Sequence, residues 1–437
     1  MKSRVVAIND LAERFLRLRK PGWLLERVAK LRMPVIAADR FAQRYPDEPH
    51  DDDASPLVEP ARPRAHVDGV LDGDVVIKDQ IDVAGFRTGI GLASGGELAA
   101  EDATVVARII AAGGRVIGKA KMTELGIDGI GSVMHYSMPP NPRAPGYVPG
   151  GSSTGTAVAV ATGVARYGVG GDGLGSIRIP AAFCGLIGLK PSRDRLPREG
   201  IKSPVRSLDA VGPIARTADD CARLWQVMAG EPVETLTAWR PEVVGVPIGR
   251  QRASRSIERA FDRMLQTLGM SIEPVELPGL VHVTFLGGLI GAYELSTGPY
   301  AHLPITRAGR MSRAVGRSLS EQNAAQLYAQ RDALRADVAR VLAKTPILAL
   351  PTTAIPPPAI TRNLLDAGAD VLMLRALGAF TPLANLADLP SIAVPAGVDS
   401  RGRPLSIMFI AERRNEQTLL RIAKAVEHTG LGRAPVD

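Results

Sequence analysis

Ser152 and Ser176 stand 24 positions apart, each inside its own glycine-rich stretch, and Lys78 lies well upstream of both. The first serine is in Pro149-Gly-Gly-Ser-Ser-Thr-Gly-Thr156, the second in Gly168-Val-Gly-Gly-Asp-Gly-Leu-Gly-Ser-Ile-Arg-Ile-Pro180. Glycines crowded around a hydroxyl let backbone N–H groups turn onto a reacting atom, because no Cβ blocks the approach. The amides of Gly173, Leu174, Gly175 and Ser176 are therefore candidate donors to a tetrahedral oxyanion, where one donor is worth roughly 10²–10³ in rate. Lys78 ends the apolar approach Val75-Val-Ile77, and burial lowers a lysine pKa by up to ~3–5 units. A nucleophilic hydroxyl, a second hydroxyl and a neutral amine base are the parts of an acyl-transfer site. Each part also has a plainer reading. Ser176 could cap a helix near Pro180, Ser152 could sit in a simple tight loop, and Lys78 could be a solvated charge at a strand end.

The elements that must position these residues read as α/β from Val67 onward. Val75-Val-Ile77 and Arg115-Val-Ile-Gly118 are strand-like, with a helix expected around Asp102–Ala112 between them. Gly155–Thr162 is small and apolar, suited to a buried helix just after the Ser152 loop. Gly185-Leu-Ile-Gly-Leu189, Leu348–Pro358, Ser391-Ile-Ala-Val394 and Ile407-Met-Phe-Ile410 read as further strands. Residues 255–268 and 321–344 carry amphipathic helical patterns. Upstream, residues 1–35 show an apolar stripe interrupted at Pro21, and 45–66 read as an exposed linker with the acidic run Asp51-Asp-Asp53. The expected organisation is an N-terminal helical segment and linker, 1–66, packed on a single large domain, 67–437. In that domain a central mixed sheet is covered by helices on both faces.

Bulk properties exclude more than they assign. With 45% hydrophobic but only 4% aromatic residues, the core must be mainly aliphatic. No apolar run approaches 18 residues and the N-terminus lacks a signal peptide's apolar centre, so no membrane span is expected and a cytoplasmic location is the default. Two cysteines make neither a disulfide framework nor a metal cluster, and no cofactor or metal is expected. The net charge of +8 is spread along the chain without basic runs interleaved with aromatics, so no nucleic-acid partner is expected. Gly168-Val-Gly-Gly-Asp-Gly173 satisfies the dinucleotide pattern G-x-G-x-x-G, with Asp194 about twenty residues on. Pro180 interrupts the helix such a site needs, which argues against it. His135 is the only histidine within a hundred residues of Ser176, with His66 and His282 just beyond, and no nucleophile-elbow motif supports a Ser-His-Asp triad.

The stretch from Val148 to Ser192 resembles the amidase signature family, whose serine hydrolases use a Ser–cisSer–Lys triad. Pro149-Gly-Gly-Ser-Ser153 and Gly175-Ser-Ile-Arg-Ile-Pro-Ala-Ala-Phe-Cys-Gly-Leu-Ile-Gly-Leu-Lys-Pro191 match almost residue for residue, and the serine separation is the family's own. Ile77-Lys-Asp79, Gly118-Lys-Ala-Lys-Met-Thr-Glu-Leu125, Asn141-Pro142, Asp209-Ala-Val-Gly-Pro-Ile-Ala-Arg-Thr217, Leu350-Pro-Thr-Thr353 and Thr381–Gly397 extend the resemblance from about Asp68 onward. It implies Ser176 as nucleophile, Ser152 after a cis peptide bond as proton relay, and Lys78 as neutral base. Ser153, Asp172 and Arg178 would support the loops, as would Glu124, while Gly126, Ile127 and Ile130 would border the substrate.

The function so implied is an amidohydrolase cleaving a C–N bond of a small amide, with aryl esters and carbamates (a urethanase activity) within the same chemistry. An alternative is an amidotransferase A-type subunit supplying ammonia to a partner; those subunits typically read Gly-Ser-Ile-Arg-Gln at the nucleophile, where this chain has Ile179. A silent binding protein is disfavoured because all three catalytic residue types are present. The chain departs from the family at Leu174, where glycine is usual, placing a side chain where it can narrow or re-aim the acyl pocket. It departs also at Gly171-Asp172 and Thr154-Gly-Thr156. The N-terminal apolar stripe leaves room for a homodimer.

Overall fold

The computed structural model describes residues 55–60, 68–92, 94–303, 305–361 and 371–432. The expected N-terminal helices lie outside the described residues.

Among these residues the chain forms thirteen strands: β1 Leu57–Pro60, β2 Gly73–Lys78, β3 Arg87–Thr88, β4 Glu97–Leu98, β5 Gly114–Ala120, β6 Tyr167–Asp172, β7 Ile187–Lys190, β8 Ala210–Ala215, β9 Val243–Pro247, β10 Ser271–Val275, β11 Ile347–Pro351, β12 Ser391–Val398 and β13 Pro404–Ala411. Eleven of them make one mixed sheet in the order β1-β5-β2-β6-β8-β7-β12-β13-β11-β9-β10, and β3 pairs with β4 in a separate ribbon. β2 runs parallel to both β5 and β6, so Lys78 and Asp172 leave their strands at the same edge. β8 returns antiparallel to β6, with Ala210 opposite Asp172.

The helices are α1 Thr104–Ala111, α2 Thr154–Ala161, α3 Arg178–Phe183, α4 Ala218–Ala229, α5 Arg255–Thr267, α6 Val283–Thr297, α7 Arg307–Arg317, α8 Glu321–Leu342, α9 Val371–Leu377, α10 Pro382–Leu386 and α11 Glu416–His428. Alternation along the strands sorts the two faces. Val76 and Ile214 pack with Ala157, Val160, Ile177 and Ala181 of the α2 and α3 segments. Val75, Ile77, Val211 and Ala215 face the larger cluster that contains Val106, Ile109, Leu224 and Ala423 from α1, α4 and α11. The sheet is thus covered on both sides, as expected.

Three elements differ from the pattern reading. The described part of the expected linker contains β1, which pairs antiparallel with β5, with Glu59 opposite Lys119. The glycine-rich run before Asp172 is the fully buried strand β6, and its missing Cβ atoms let neighbours close in. A Cβ at Gly168 would stand 2.7 Å from Thr156 and one at Gly170 would stand 2.9 Å from Ile177. Those glycines serve packing, which removes the dinucleotide reading. Finally, Gly279–Thr297 is a helical stretch of 19 residues long and apolar enough to cross a membrane by length and composition. Half of that window is buried in the body, where Leu286, Ile290 and Leu295 join the cores.

Candidate active site

Lys78 is the last residue of β2, and the alternation that buries Val76 toward α2 sends the Lys78 side chain the same way. It is 1% exposed. Its Nζ donates to Ser152 Oγ at 2.7 Å and to the Gly171 carbonyl at 2.9 Å. Burial pulls its pKa from the ordinary lysine value to about 8, partly offset by the charges of Asp209 and then Asp172. Roughly one amine in ten is then neutral at pH 7, against fewer than about one in a thousand for a solvated lysine. Lys190 is buried and lowered to about 8 as well, but its amine donates to the Pro191 carbonyl rather than to a hydroxyl.

Ser152 follows a cis Gly151–Ser152 peptide bond and precedes α2. Gly126, in the left-handed region at φ +68°, comes so close that a Cβ there would stand 3.3 Å from Ser152 Oγ. Ser153 ties the two serine loops together. Its N–H donates to the Ser176 carbonyl at 3.2 Å and its Oγ donates to the Gly171 carbonyl at 3.2 Å.

Ser176 lies between β6 and α3, nearly buried but 8% exposed. Its loop is shaped by Asp172, whose carboxylate accepts from the Gly175 N–H at 2.6 Å and the Ile177 N–H at 3.1 Å. Arg178 clamps the same carboxylate with Nε at 3.0 Å and Nη2 at 2.9 Å, both side chains fully buried. Burial alone would raise the Asp172 pKa, but the Arg178 charge and its hydrogen bonds, with help from Asn385, hold it well below the usual carboxylate range. Arg178 also donates to the Thr381 carbonyl and to Asn385 Oδ1, and Asn385 Nδ2 donates to Asp172. α10 and the residue before it thereby lock the loop from the far end of the chain.

The geometry refines the oxyanion expectation. The Gly175 N–H is committed to Asp172, leaving the amides of Gly173, Leu174 and Ser176 without a hydrogen bond among the described residues. Among the described residues no hydrogen bond joins Ser152 Oγ to Ser176 Oγ. The Leu174 side chain turns against α6, where a Cβ at Gly287 would stand 2.6 Å from its Cδ2. The absent side chain at 287 makes room for it. Ile127 packs half-buried on the cluster of Ile90, Leu92, Leu125, Leu295 and Ile305. Ile130 is buried with Val148, Ile179 and Phe183, supporting the site from behind. Glu124 holds His135 at 2.8 Å and accepts from the Thr306 N–H and hydroxyl, which anchors the start of α7 beside the Gly126 loop.

Gln80, Thr381 and Asn385 were not singled out in the sequence, although Thr381 and Asn385 stand in one of the quoted motifs. Their signal is tertiary contact, which no local spacing reveals. Among the described residues no group of three or more His, Cys, Asp or Glu side chains could hold a metal ion.

Residues 61–420 match the sequence model of the Amidase family. This chain belongs to that family. It is 31% identical over 416 residues to the A-type subunit of the glutamyl-tRNA(Gln) amidotransferase from Natronomonas pharaonis, covering 82% of this chain and 96% of that relative. It is 30% identical over 374 residues to a putative amidase of Mycobacterium bovis, covering 81% and 80%. A solved structure described as an amidase superposes with a TM-score of 0.69 at 27% identity, covering 82% of this chain and 84% of that one. As an Amidase-family member the protein is an enzyme acting on carbon–nitrogen bonds.

Proposed function

We propose that this enzyme hydrolyses the C–N bond of a small amide through an acyl-enzyme on Ser176. Neutral Lys78 takes the Ser152 proton as Ser152 takes that of Ser176, and Ser176 Oγ attacks the carbonyl carbon. The amides of Gly173, Leu174 and Ser176 receive the oxyanion. Collapse expels the amine, which leaves with the proton returned from Lys78 through Ser152. Water then attacks the ester, gives its proton to the relay and releases the acid with Ser176 restored. The observation that carries this reading is the 2.7 Å bond from a buried, pKa-lowered amine to a serine hydroxyl one loop away from Ser176. The reading requires the two hydroxyls to close to hydrogen-bond distance on substrate, a tightening common between free and bound enzymes. Esters and carbamates present the same carbonyl and fall within its reach.

A second reading, an A-type subunit that supplies ammonia to a partner, is favoured by the relationship to the amidotransferase subunits. Apolar Ile179, whose Cδ1 would lie 2.8 Å from a Cβ at Gly175, borders the loop and argues for an apolar environment. The test is amine release from aliphatic amides, aryl amides, aryl carbamates and glutamine, with Ser176→Ala and Lys78→Ala beside the wild type. Turnover of an amide lost in both variants supports the hydrolase. Glutamine as the single productive substrate would move the assignment to the ammonia supplier, and turnover surviving in Ser176→Ala would overturn the nucleophile.

A further inference from the structure

The Lys78 amine rests on the Gly171 carbonyl, which also accepts from Ser153 Oγ at 3.2 Å, and the Gly171 residue is packed from a further side. A Cβ at Gly171 would stand 2.5 Å from Gln80 Oε1 and 2.7 Å from its Cδ, so the buried Gln80 amide fills the place a side chain would take on this residue of β6. Gln80 Nε2 donates to Asp209 Oδ2 at 3.0 Å and to the Lys202 carbonyl at 3.3 Å. Asp209, just before β8, is buried, and Ser203 beside it helps to lower its pKa. Arg198 Nη1 donates to the main-chain carbonyl of Asp209 at 2.8 Å.

The charged groups facing Lys78 are Asp209 and Asp172, those facing Asp209 are Lys78 and Arg198. Asp172 is spent on Arg178. Of the two carboxylates Asp209 carries the larger influence on the amine, and its Oδ2 is met by the neutral donor Gln80.

We propose that Asp209 is a positioning residue for the Lys78 amine: through Gln80 it steadies the Gly171 carbonyl that grips the amine, and it supplies the buried negative charge that faces it. This deepens the proposed mechanism and rests on Lys78 being its base. Asp209 keeps the ammonium state from becoming too costly, so the base retains enough proton affinity to accept and return a proton in each half-reaction. Burial raises the Asp209 pKa, and the neighbouring Lys78 charge lowers it, so the two groups share a common electrostatic balance.

The experiment measures the second-order rate at which phenylmethanesulfonyl fluoride sulfonylates the enzyme, with loss of fluoride, as a function of pH. This probe needs no knowledge of the substrate. Asp209→Asn preserves size and removes the charge, so the acidic limb should move to lower pH by about one unit, the lower end of the range for a neighbouring opposite charge. Gln80→Leu keeps the charge and cuts the brace, so the plateau rate should fall at least about tenfold with the limb in place, as small misplacements do. A limb that stays put in Asp209→Asn overturns the electrostatic part, and an unchanged plateau in folded Gln80→Leu overturns the brace. If Asp209→Asn fails to fold, the Gln80→Leu result carries the test alone. Lys78→Ala is the separating control. Wild-type labelling and pH dependence in that variant would refute the base itself, independently of Asp209.

Discussion

Gly175→Ala is the sharpest probe of how the Ser176 loop is held. Residue 175 adopts φ +136°, a conformation L side chains rarely take, and a Cβ there would stand 2.5 Å from Thr381 Oγ1 and 2.8 Å from Ile179 Cδ1. Such backbone strain costs about 1–3 kcal/mol. Thr381 Oγ1 donates to the Leu174 carbonyl at 2.7 Å, and pushing it aside forfeits a hydrogen bond worth about 0.5–1.5 kcal/mol. The variant should therefore lose roughly 2–4 kcal/mol of stability. The neighbouring Ser176 and the amides at Gly173 and Leu174, which make no hydrogen bond among the described residues, move with the loop, and a displacement of about 1 Å costs on the order of 10²-fold in rate. The assay pairs thermal unfolding with kcat/KM on the best amide and with the rate of sulfonyl fluoride labelling. Gly146→Ala is the internal comparison, because it too has positive φ but nothing lies within 4 Å of its added Cβ. It should lose about 1 kcal/mol and no activity. A folded Gly175→Ala enzyme within about threefold of wild-type turnover would refute the argument, since on that scale less than 1 kcal/mol would have been felt.

Other changes separate stability from chemistry. Lys78→Met should abolish turnover, and the wild type should gain stability relative to it between about pH 8 and about pH 10.4. In that window the unfolded lysine still binds a proton that the folded one, lowered by burial, has released, so stability rises with pH. A stability difference flat across that window, followed by chemical denaturation, would contradict a buried low-pKa amine. Arg178→Met should destabilise by about 3–5 kcal/mol because it strands the buried Asp172 carboxylate. The native pair's contribution, present above the unfolded carboxyl pKa of about 3.9, should fade as acid takes the pH down through the lowered native value. Gly287→Ala should cost about 1–3 kcal/mol by overpacking Leu174, and adding Leu174→Ala should recover most of it in thermal unfolding.

Local pattern carried the strands around Lys78, the buried helix after Ser152 and the amphipathic α5 and α8, because each has a period or a glycine signal of its own. It passed over β6 as a strand, since glycine has low strand preference and the reasons for these glycines lie in Thr156, Ile177 and Gln80, distant in sequence. It passed over β1 because a short strand with Pro60 at its end carries no alternation of its own; β5 supplies the pairing. Leu174 looked like an intrusion on the pocket until α6 brought Gly287 beneath it.

Residue types, their order and their glycine context were enough to determine the family and the α/β class, and to single out Ser152, Ser176 and Lys78 as candidates. Those features are written in contiguous motifs, and short-range chemistry suffices to read them. Tertiary structure decided the rest: that Lys78 is buried and its amine meets Ser152, that the Gly175 N–H serves Asp172, and that Gln80 links Asp209 to the neighbourhood of Gly171. Those are properties of distance and desolvation, which arise only when strands far apart in the chain are laid side by side and water is excluded between them.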